Sequence, residues 1–388
     1  RGSVNNSPSQ TMVYLYSVLC CLFLFPYFAW RGGQALGRRG RKCLWVLLAT
    51  TFGLFVVALV THRMIQADWM SHVMNGSVYV FFSSMYAAGV VVLLNLLRHI
   101  DNRLFGFYTY APLWKKKRVR QGAFVLTLVV FVACLFVGHY NVRYPQVIHQ
   151  DLYLTRLTKP GEQSTKRLRL VFFSDLHIGE AMTPPYVERA VDLILEQKPD
   201  LILCGGDFID HLSEYAYDPR VMKTMRRLRA PMGTYFVLGN HEYRADTLAN
   251  IRFVSEIGAT LLRDSVAYPQ DSLLALVGRD DFVNEERKTI EAVTQGIDAT
   301  RRPVLLMEHT PASIDSIDRT PVDLMLCGHT HGGQIWPGQL MVWWKYGIAS
   351  GEKEVAGRRI CVSSGVGSAG ATYRMGTRSE IRVYDLYW

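Results

Sequence analysis

The sequence predicts an N-terminal four-helix transmembrane domain followed by an α/β domain, and three observations carry this. Apolar runs of near-membrane length occupy residues 12–30, 43–61, 77–97 and 121–139. Lysine and arginine are concentrated in the same third of the chain. From about residue 150, short apolar runs alternate with segments of helical spacing, and polar clusters close five of the runs. The expected division of the 388 residues is 12–140 for the membrane part and 141–388 for the α/β part. Residues 1–11 read as a tag remnant or a disordered lead, because Arg1-Gly2-Ser3 opens a polar stretch.

Each apolar run approaches or reaches the ~20 residues that cross a ~30 Å hydrocarbon layer as a helix. A cleaved signal peptide is the alternative for the first run, but no A-x-A-type site follows it and three further runs come after. The formal net charge of +10 looks like a nucleic-acid signature until it is divided along the chain. Residues 1–140 hold 14 Lys/Arg against two Asp/Glu, which leaves 29 basic and 31 acidic residues for the remainder. The basicity belongs to the membrane part, and no nucleic-acid partner is expected. Arg31, Arg38, Arg39, Arg41 and Lys42 fall between the first two runs, and Arg98, Arg103, Lys115, Lys116, Lys117, Arg118 and Arg120 between the last two. The middle loop has Arg63 alone. Short cytoplasmic loops collect such residues, so the α/β domain is expected outside the cytoplasm. The seven cysteines lie in apolar runs and read as small buried residues rather than a disulfide framework.

In the second part, residues 151–157 alternate apolar and polar, a Lys-Pro-Gly-Glu turn follows, and 168–173 reads as the returning strand of a hairpin. Thr183-Pro184 starts a helix in which Val187, Ala190, Val191 and Ile194 keep helical spacing. Further apolar runs occur at 201–204, 234–238, 273–277, 303–307, 322–327, 360–363 and 381–384. Runs that are apolar on both faces indicate buried strands covered by helices.

The functional signal sits at the strand ends. Ser174-Asp175-Leu176-His177, Gly205-Gly206-Asp207, Gly239-Asn240-His241-Glu242, Glu308-His309 and Gly328-His329-Thr330-His331-Gly332-Gly333-Gln334 follow five successive runs. This is where α/β architectures place ligands. Carboxylates and imidazoles together suit manganese, iron or zinc, and two such ions ~3.5–4 Å apart clamp the attacking and leaving oxygens of a phosphoryl displacement. Each motif alone is ordinary turn or cap chemistry; the ordered set is not.

That order resembles the calcineurin-like metallophosphoesterase superfamily over roughly residues 150–388. Within it the chain is similar to the membrane-anchored bacterial branch of YkuE and YaeI type enzymes, related to the chlamydial-type UDP-diacylglucosamine pyrophosphatase. The resemblance implies a four-layer αββα sandwich and two divalent ions, manganese first, with iron or zinc as alternatives. It implies Asp175, His177 and His331 on one ion, Asn240, His309 and His329 on the other, and Asp207 bridging. Asp207 and His241 would be the catalytic pair, with His241 bonding the phosphoryl group and protonating the leaving oxygen after attack of a bridging hydroxide. Glu242 would orient His241. His211, Arg374, Arg378 and Trp336 are the candidate substrate contacts, since Arg suits bidentate phosphate binding.

The expected function is hydrolysis of a phosphodiester or pyrophosphate bond in an envelope lipid or lipid-linked substrate. The expected place is the bacterial inner membrane, multi-pass, with the catalytic domain on the periplasmic side and membrane lipids as partners. A tethered phosphodiesterase for soluble nucleotides is the functional alternative, and a non-catalytic metal-stabilised membrane scaffold or receptor is the alternative of another class. A zinc amidohydrolase also uses His-x-His, but near the start of its barrel, whereas here the pair comes last. Trp336, Trp343 and Trp344 either pack in the domain core or sit where one side of a ring is apolar and the other wet, as at a membrane interface.

Overall fold

The computed structural model describes residues 33–61, 68–154, 166–210, 212–244, 246–370 and 372–388, with Pro26, Trp30 and Leu157. It divides between His139 and Tyr140 into two compact units. The first unit contains helices α1 (Arg38–Thr61), α2 (Asp68–Leu104) and the greater part of α3 (Leu113–Arg143). Ala87 and Ala88 of α2 are small enough to let Leu48 of α1 pack closely, forming a short buried seam with Val91.

Two stretches, Val78–Leu104 and Leu113–Arg143, are long and apolar enough to cross a membrane. Four spans were expected, and the described residues carry two. The run 12–30 lies almost wholly outside the described residues. The run 43–61 is helical, but it forms the later part of a helix whose first turn is Arg38, Arg39, Arg41 and Lys42.

The second unit is built on two six-stranded mixed sheets. The first has the order β1 (Gln146–Tyr153), β12 (Glu380–Tyr387), β2 (Arg167–Phe173), β3 (Leu201–Cys204), β4 (Thr234–Phe236) and β5 (Thr260–Leu261). The second has the order β10 (Gly351–Val355), β11 (Arg358–Val362), β9 (Leu324–Cys327), β8 (Val304–Met307), β7 (Ala275–Gly278) and β6 (Ser265–Ala267). Side chains alternate across a strand, so each sheet serves two cores. Leu168, Leu170 and Phe172 of β2 join Leu203, Leu305, Leu324 and Leu386 between the sheets. Val171 and Phe173 face the other way, against Val187, Val191 and Ile194 of helix α4 (Pro184–Glu196) and Phe253 of helix α5 (Thr247–Glu256). On the far side of the second sheet, Val277, Leu306 and Met325 meet Ile290, Val293 and Ile317. The result is helix, sheet, sheet, helix.

The expected hairpin of 151–157 with 168–173 does not form. β12 lies between β1 and β2, parallel to the first and antiparallel to the second. The physical reason is burial: Ile381, Val383, Tyr384 and Leu386 need cover on both faces and find it only inside the sheet.

β2, β3 and β4 run parallel, as do β7, β8 and β9. Their C-terminal ends therefore form one edge in each sheet. Opposite Arg169 in register lies Asp385 of β12. Arg169 donates from Nε to Asp385 Oδ1 at 2.9 Å and from Nη2 to Oδ2 at 2.8 Å, and these bonds hold the Asp385 carboxyl below its ordinary value. A group whose folded pKa is lowered stabilises the fold above its unfolded pKa and ceases to do so in acid. Asp385→Asn should therefore lower denaturant stability by on the order of 1 kcal/mol near neutrality. The gap to the wild type should close below about pH 4; a gap that persists unchanged in acid would show that packing, not charge, is responsible.

Candidate dinuclear metal centre

Five strand ends deliver the site. Ser174 to His177 follow β2, Gly205 to Asp207 follow β3, and Gly239 to Glu242 lie just beyond β4. Glu308-His309 follows β8, and Gly328 to His331 follow β9. Loops of two sheets thus close on one another. Gly206 has φ +87°, and a Cβ there would stand 2.9 Å from His309 Nδ1 and 2.7 Å from the Gly239 amide nitrogen. Only glycine lets the three loops meet.

The side chains fall into three groups whose ligand atoms face one another, of which the first and third share His177: Asp175, His177 and His331; Asp207, His309 and His329; and His177, Asp210 and His241. In the first group, His177 Nε2 and His331 Nε2 are 3.1 Å apart, and His331 Nε2 is 3.5 Å from Asp175 Oδ1. In the second, Asp207 Oδ2 is 3.1 Å from His309 Nε2, and Asn240 Oδ1 is 2.8 Å from His329 Nδ1. Asp207 Oδ2 also lies 3.8 Å from His177 Nε2, so this one oxygen stands between the groups. Seven of the eight expected residues are buried and His329 is half-buried.

At His309 the ring orientation favours cation binding. Its Nδ1 donates to Gly205 O at 2.7 Å, which turns Nε2 inward. That Nε2 is buried and, although close to Asp207, lacks the alignment of a hydrogen bond. Burial pushes His329 down to about 3 and His331 well below its ordinary value, so both imidazoles are neutral. Burial raises the Asp207 carboxyl, but His309, His241 and His177 outweigh it and hold the group ionised. The same contacts raise His309 well above its ordinary value against the effect of burial. Such a donor set, oxygens and imidazole nitrogens in two clusters sharing a carboxylate, fits two divalent transition ions.

The backbone also marks the site. Among the described residues, ten non-glycine residues have positive φ, and five of these are Asp175, His177, Asp207, His329 and His331. Such conformations cost of order 1 kcal/mol or more each and persist where surroundings enforce them. Here the enforcing bonds are visible. Glu242, fully buried, accepts from the amides of Asp207, Gly239 and Ile209 at 2.9, 2.7 and 3.0 Å. It braces the Asp207 loop rather than orienting the His241 ring, as sequence reasoning had it. Asp175 accepts from the His329 amide at 3.0 Å and from Ser174 Oγ.

The ring of His241 is held by other groups. Nδ1 donates to Asp210 O at 2.8 Å, and Arg244 Nη1 donates to Nε2 at 2.7 Å. Asp210 also places Oδ1 3.3 Å from His177 Nδ1. Neither Asp210 nor Arg244 was recognised as a site residue in the sequence. The spacing to Gly-Gly-Asp for the first, and to Asn-His-Glu for the second, was the available signal.

The expected substrate contacts fare differently. His211 lies outside the described residues. Arg374 is fully buried and donates to His331 Nδ1 at 3.0 Å and to the carbonyls of Ser364 and Gly367 at 2.6 and 2.7 Å. It is a clamp behind a candidate ligand, and no substrate reaches it. Burial lowers it to about 10. Arg378 donates to Tyr144 O and stacks on Tyr140, and it lines a polar recess of about 410 Å³ with Asn141, Gln146 and Ser350. None of the metal-facing side chains lines that recess. Trp336 is more than half exposed, three residues beyond the Gly332-Gly333 turn.

Residues 168–333 match the family model of the calcineurin-like phosphoesterases. Over 243 residues the chain is 28% identical to a metallophosphoesterase of Helicobacter pylori strain J99, covering 61% of this chain and 62% of that one. It is 27% identical to a transmembrane protein with metallophosphoesterase domain from Danio rerio, covering 69% and 64%. It is 28% identical to the metallophosphoesterase YkuE of Bacillus subtilis, covering 56% and 78%. The chain thus spans under two thirds of the length of the first two. Residues 168–333 are thus similar to the calcineurin-like phosphoesterases.

Because Asp207 raises His309, protons compete with cations for this nitrogen. The affinity for Mn²⁺ should therefore go on rising with pH above the ordinary imidazole range of about 6.5, with proton release on binding. Calorimetry in two buffers of different ionisation enthalpy measures that release; binding without it would refute the assignment of His309. Gly206→Ala should abolish binding while leaving the sheet cores folded.

Proposed function

We propose that the protein is a membrane-anchored phosphoesterase that hydrolyses a phosphodiester or pyrophosphate bond of an envelope lipid or lipid-linked substrate. The observation that carries the phosphoesterase part is the position of Asp207 Oδ2, between two sets of neutral or carboxylate donors at one shared edge. Asp175, His177 and His331 would hold one ion, Asn240, His309 and His329 the other, and Asp207 both. The pair of ions, when bound, supplies Lewis-acid charge and an activated water.

The chain's own residues do the rest. Arg244 has an exposed side chain and a donor fork that matches a phosphoryl group. When a phosphoryl oxygen takes over its donors, His241 Nε2 is left free beside the reacting bond. While Arg244 donates to Nε2 the ring is neutral; once the phosphoryl oxygen has taken those donors, Asp207 and Asp210, which raise His241 to about 9 against burial, let Nε2 take up a proton from water and pass it to the leaving oxygen.

The lipid part of the reading is supported by apolar groups beside the donors. The Phe282 and Tyr346 rings stand edge-on to His329 at 6.3 and 6.2 Å. The two membrane-length helices, and relatives that are named transmembrane proteins, support anchoring. The lysine and arginine clusters 31–42 and 98–120 support a cytoplasmic side for those loops, hence an outward catalytic domain at a bacterial inner membrane.

His241→Ala should lower kcat on bis(p-nitrophenyl) phosphate by about 10²–10⁴ while metal content is retained. Arg244→Ala should lower kcat/KM by roughly tenfold or more, with partial recovery in Arg244→Lys. Metal binding without hydrolysis of any ester would leave a scaffold or receptor. Hydrolysis of soluble diesters with no action on extracted envelope lipids would leave a tethered phosphodiesterase. A reporter fused after Trp388 that is active only in the cytoplasm would overturn the orientation.

A further inference from the structure

Helix α6 (Gly338–Tyr346) begins seven residues after His331 and has no buried residue. Its base is fixed. The Gly338 amide donates to Ile335 O at 2.7 Å, Gln339 Nε2 donates to Met375 O at 3.3 Å, and Gly347 ends the helix at φ +70°. Its side is bare: Leu340 is 61% exposed, Trp343 61% and Trp344 84%. These three stand at i, i+3 and i+4 and share one face, with Met341 beside them. Soluble surfaces seldom present such a contiguous patch without a partner.

The geometry points to α6 as an interfacial helix that seats its Leu340, Trp343 and Trp344 face in the headgroup layer of the membrane in which the chain is anchored. Three features select a lipid surface. Tryptophan concentrates where an apolar body meets a wet edge, and two of the three residues are tryptophan. Residues 335–347 hold one charge, Lys345, and no carboxylate, which suits anionic headgroups. Helix α3, apolar enough to span a bilayer, runs without a break to Arg143.

The inference rests on the membrane-anchored reading proposed above and does not require a lipid substrate. The test uses the full chain in nanodiscs of phosphatidylcholine and phosphatidylglycerol. The tryptophan emission of Trp343→Phe/Trp344→Phe is subtracted from that of the wild type, and Trp344→Phe alone serves as the milder variant. The difference spectrum should be blue-shifted, quenched by brominated acyl chains and shielded from iodide. A difference spectrum typical of water and quenched by iodide would overturn the inference. So would a blue-shifted one insensitive to brominated lipid, which would assign the face to a second copy of the chain. Quenching by lipid without hydrolysis of lipid esters would remove the lipid-substrate reading and leave the docking helix standing; hydrolysis without quenching would do the reverse.

Discussion

The site depends on one buried carboxylate. Asp207 is 2% exposed and has a second carboxylate, Asp175, among its charged neighbours. An uncompensated charge at such depth costs several kcal/mol, and two like charges cost more. The imidazoles of His309, His177 and His241 supply the compensation, and this is why His309 and His241 are driven up, while burial first and then neighbouring cationic groups, His309 for His329 and His177 with Arg374 for His331, drive the other two down. The arrangement is a set of charges short of cations. Ions of charge two would satisfy both carboxylates and return His309 to the neutral state in which it ligates.

The scaffold holds this arrangement by backbone bonds more than by packing. Glu242 ties the loops after β3 and β4 together through three amides, and it is itself raised to about 7, chiefly by burial and then by Asp207. Asp175 ties the loop after β2 to the loop after β9. Arg374 closes the circle from behind, bonding His331 and the 364–367 loop, whose Val366 and Gly367 amides donate to Ser174 O and Asp175 O. Each left-handed ligand therefore sits on a loop tied to another strand. Strain at five positions is shared through these ties, so loss of any one is felt at several ligands.

Much of this was legible in the sequence because the signal is local. Each ligand sits within a few residues of a strand end, and apolar runs of four to six residues mark the strands whatever their neighbours are. Two classes of feature were not. Sheet order depends on long-range pairing: nothing near residues 151–157 shows that β12, more than 220 residues later, will displace β2 as the partner of β1. Roles of polar residues depend on direction. Glu242 lies next to His241 in sequence, yet its carboxylate turns toward Asp207, whereas Arg244, two residues further on, returns to the His241 ring. Arg374 shows the same limit, since a surface arginine and a fully buried clamp have the same local pattern. The tryptophans were open between core and interface, and only burial decides that; Trp343 and Trp344 are exposed.

The ligand loop and the aromatic helix are mechanically one piece. From His331 the chain turns through Gly332 and Gly333, and a side chain on Gly333 would collide with the backbone of Gln339 in α6. The Trp336 amide donates to Met375 O at 2.8 Å, the Met375 amide returns a bond to Gln334 O at 3.0 Å, and Arg374 is the neighbour that holds His331. A force applied to α6 is thus delivered to His331 through a short, hydrogen-bonded path with no flexible segment in it. Tyr346, at the end of the same helix, stands against the His329 ring. Both histidines of the His-Thr-His motif therefore border parts joined to α6, His329 through Tyr346 and His331 through the Arg374-Met375 segment that Gln339 bonds.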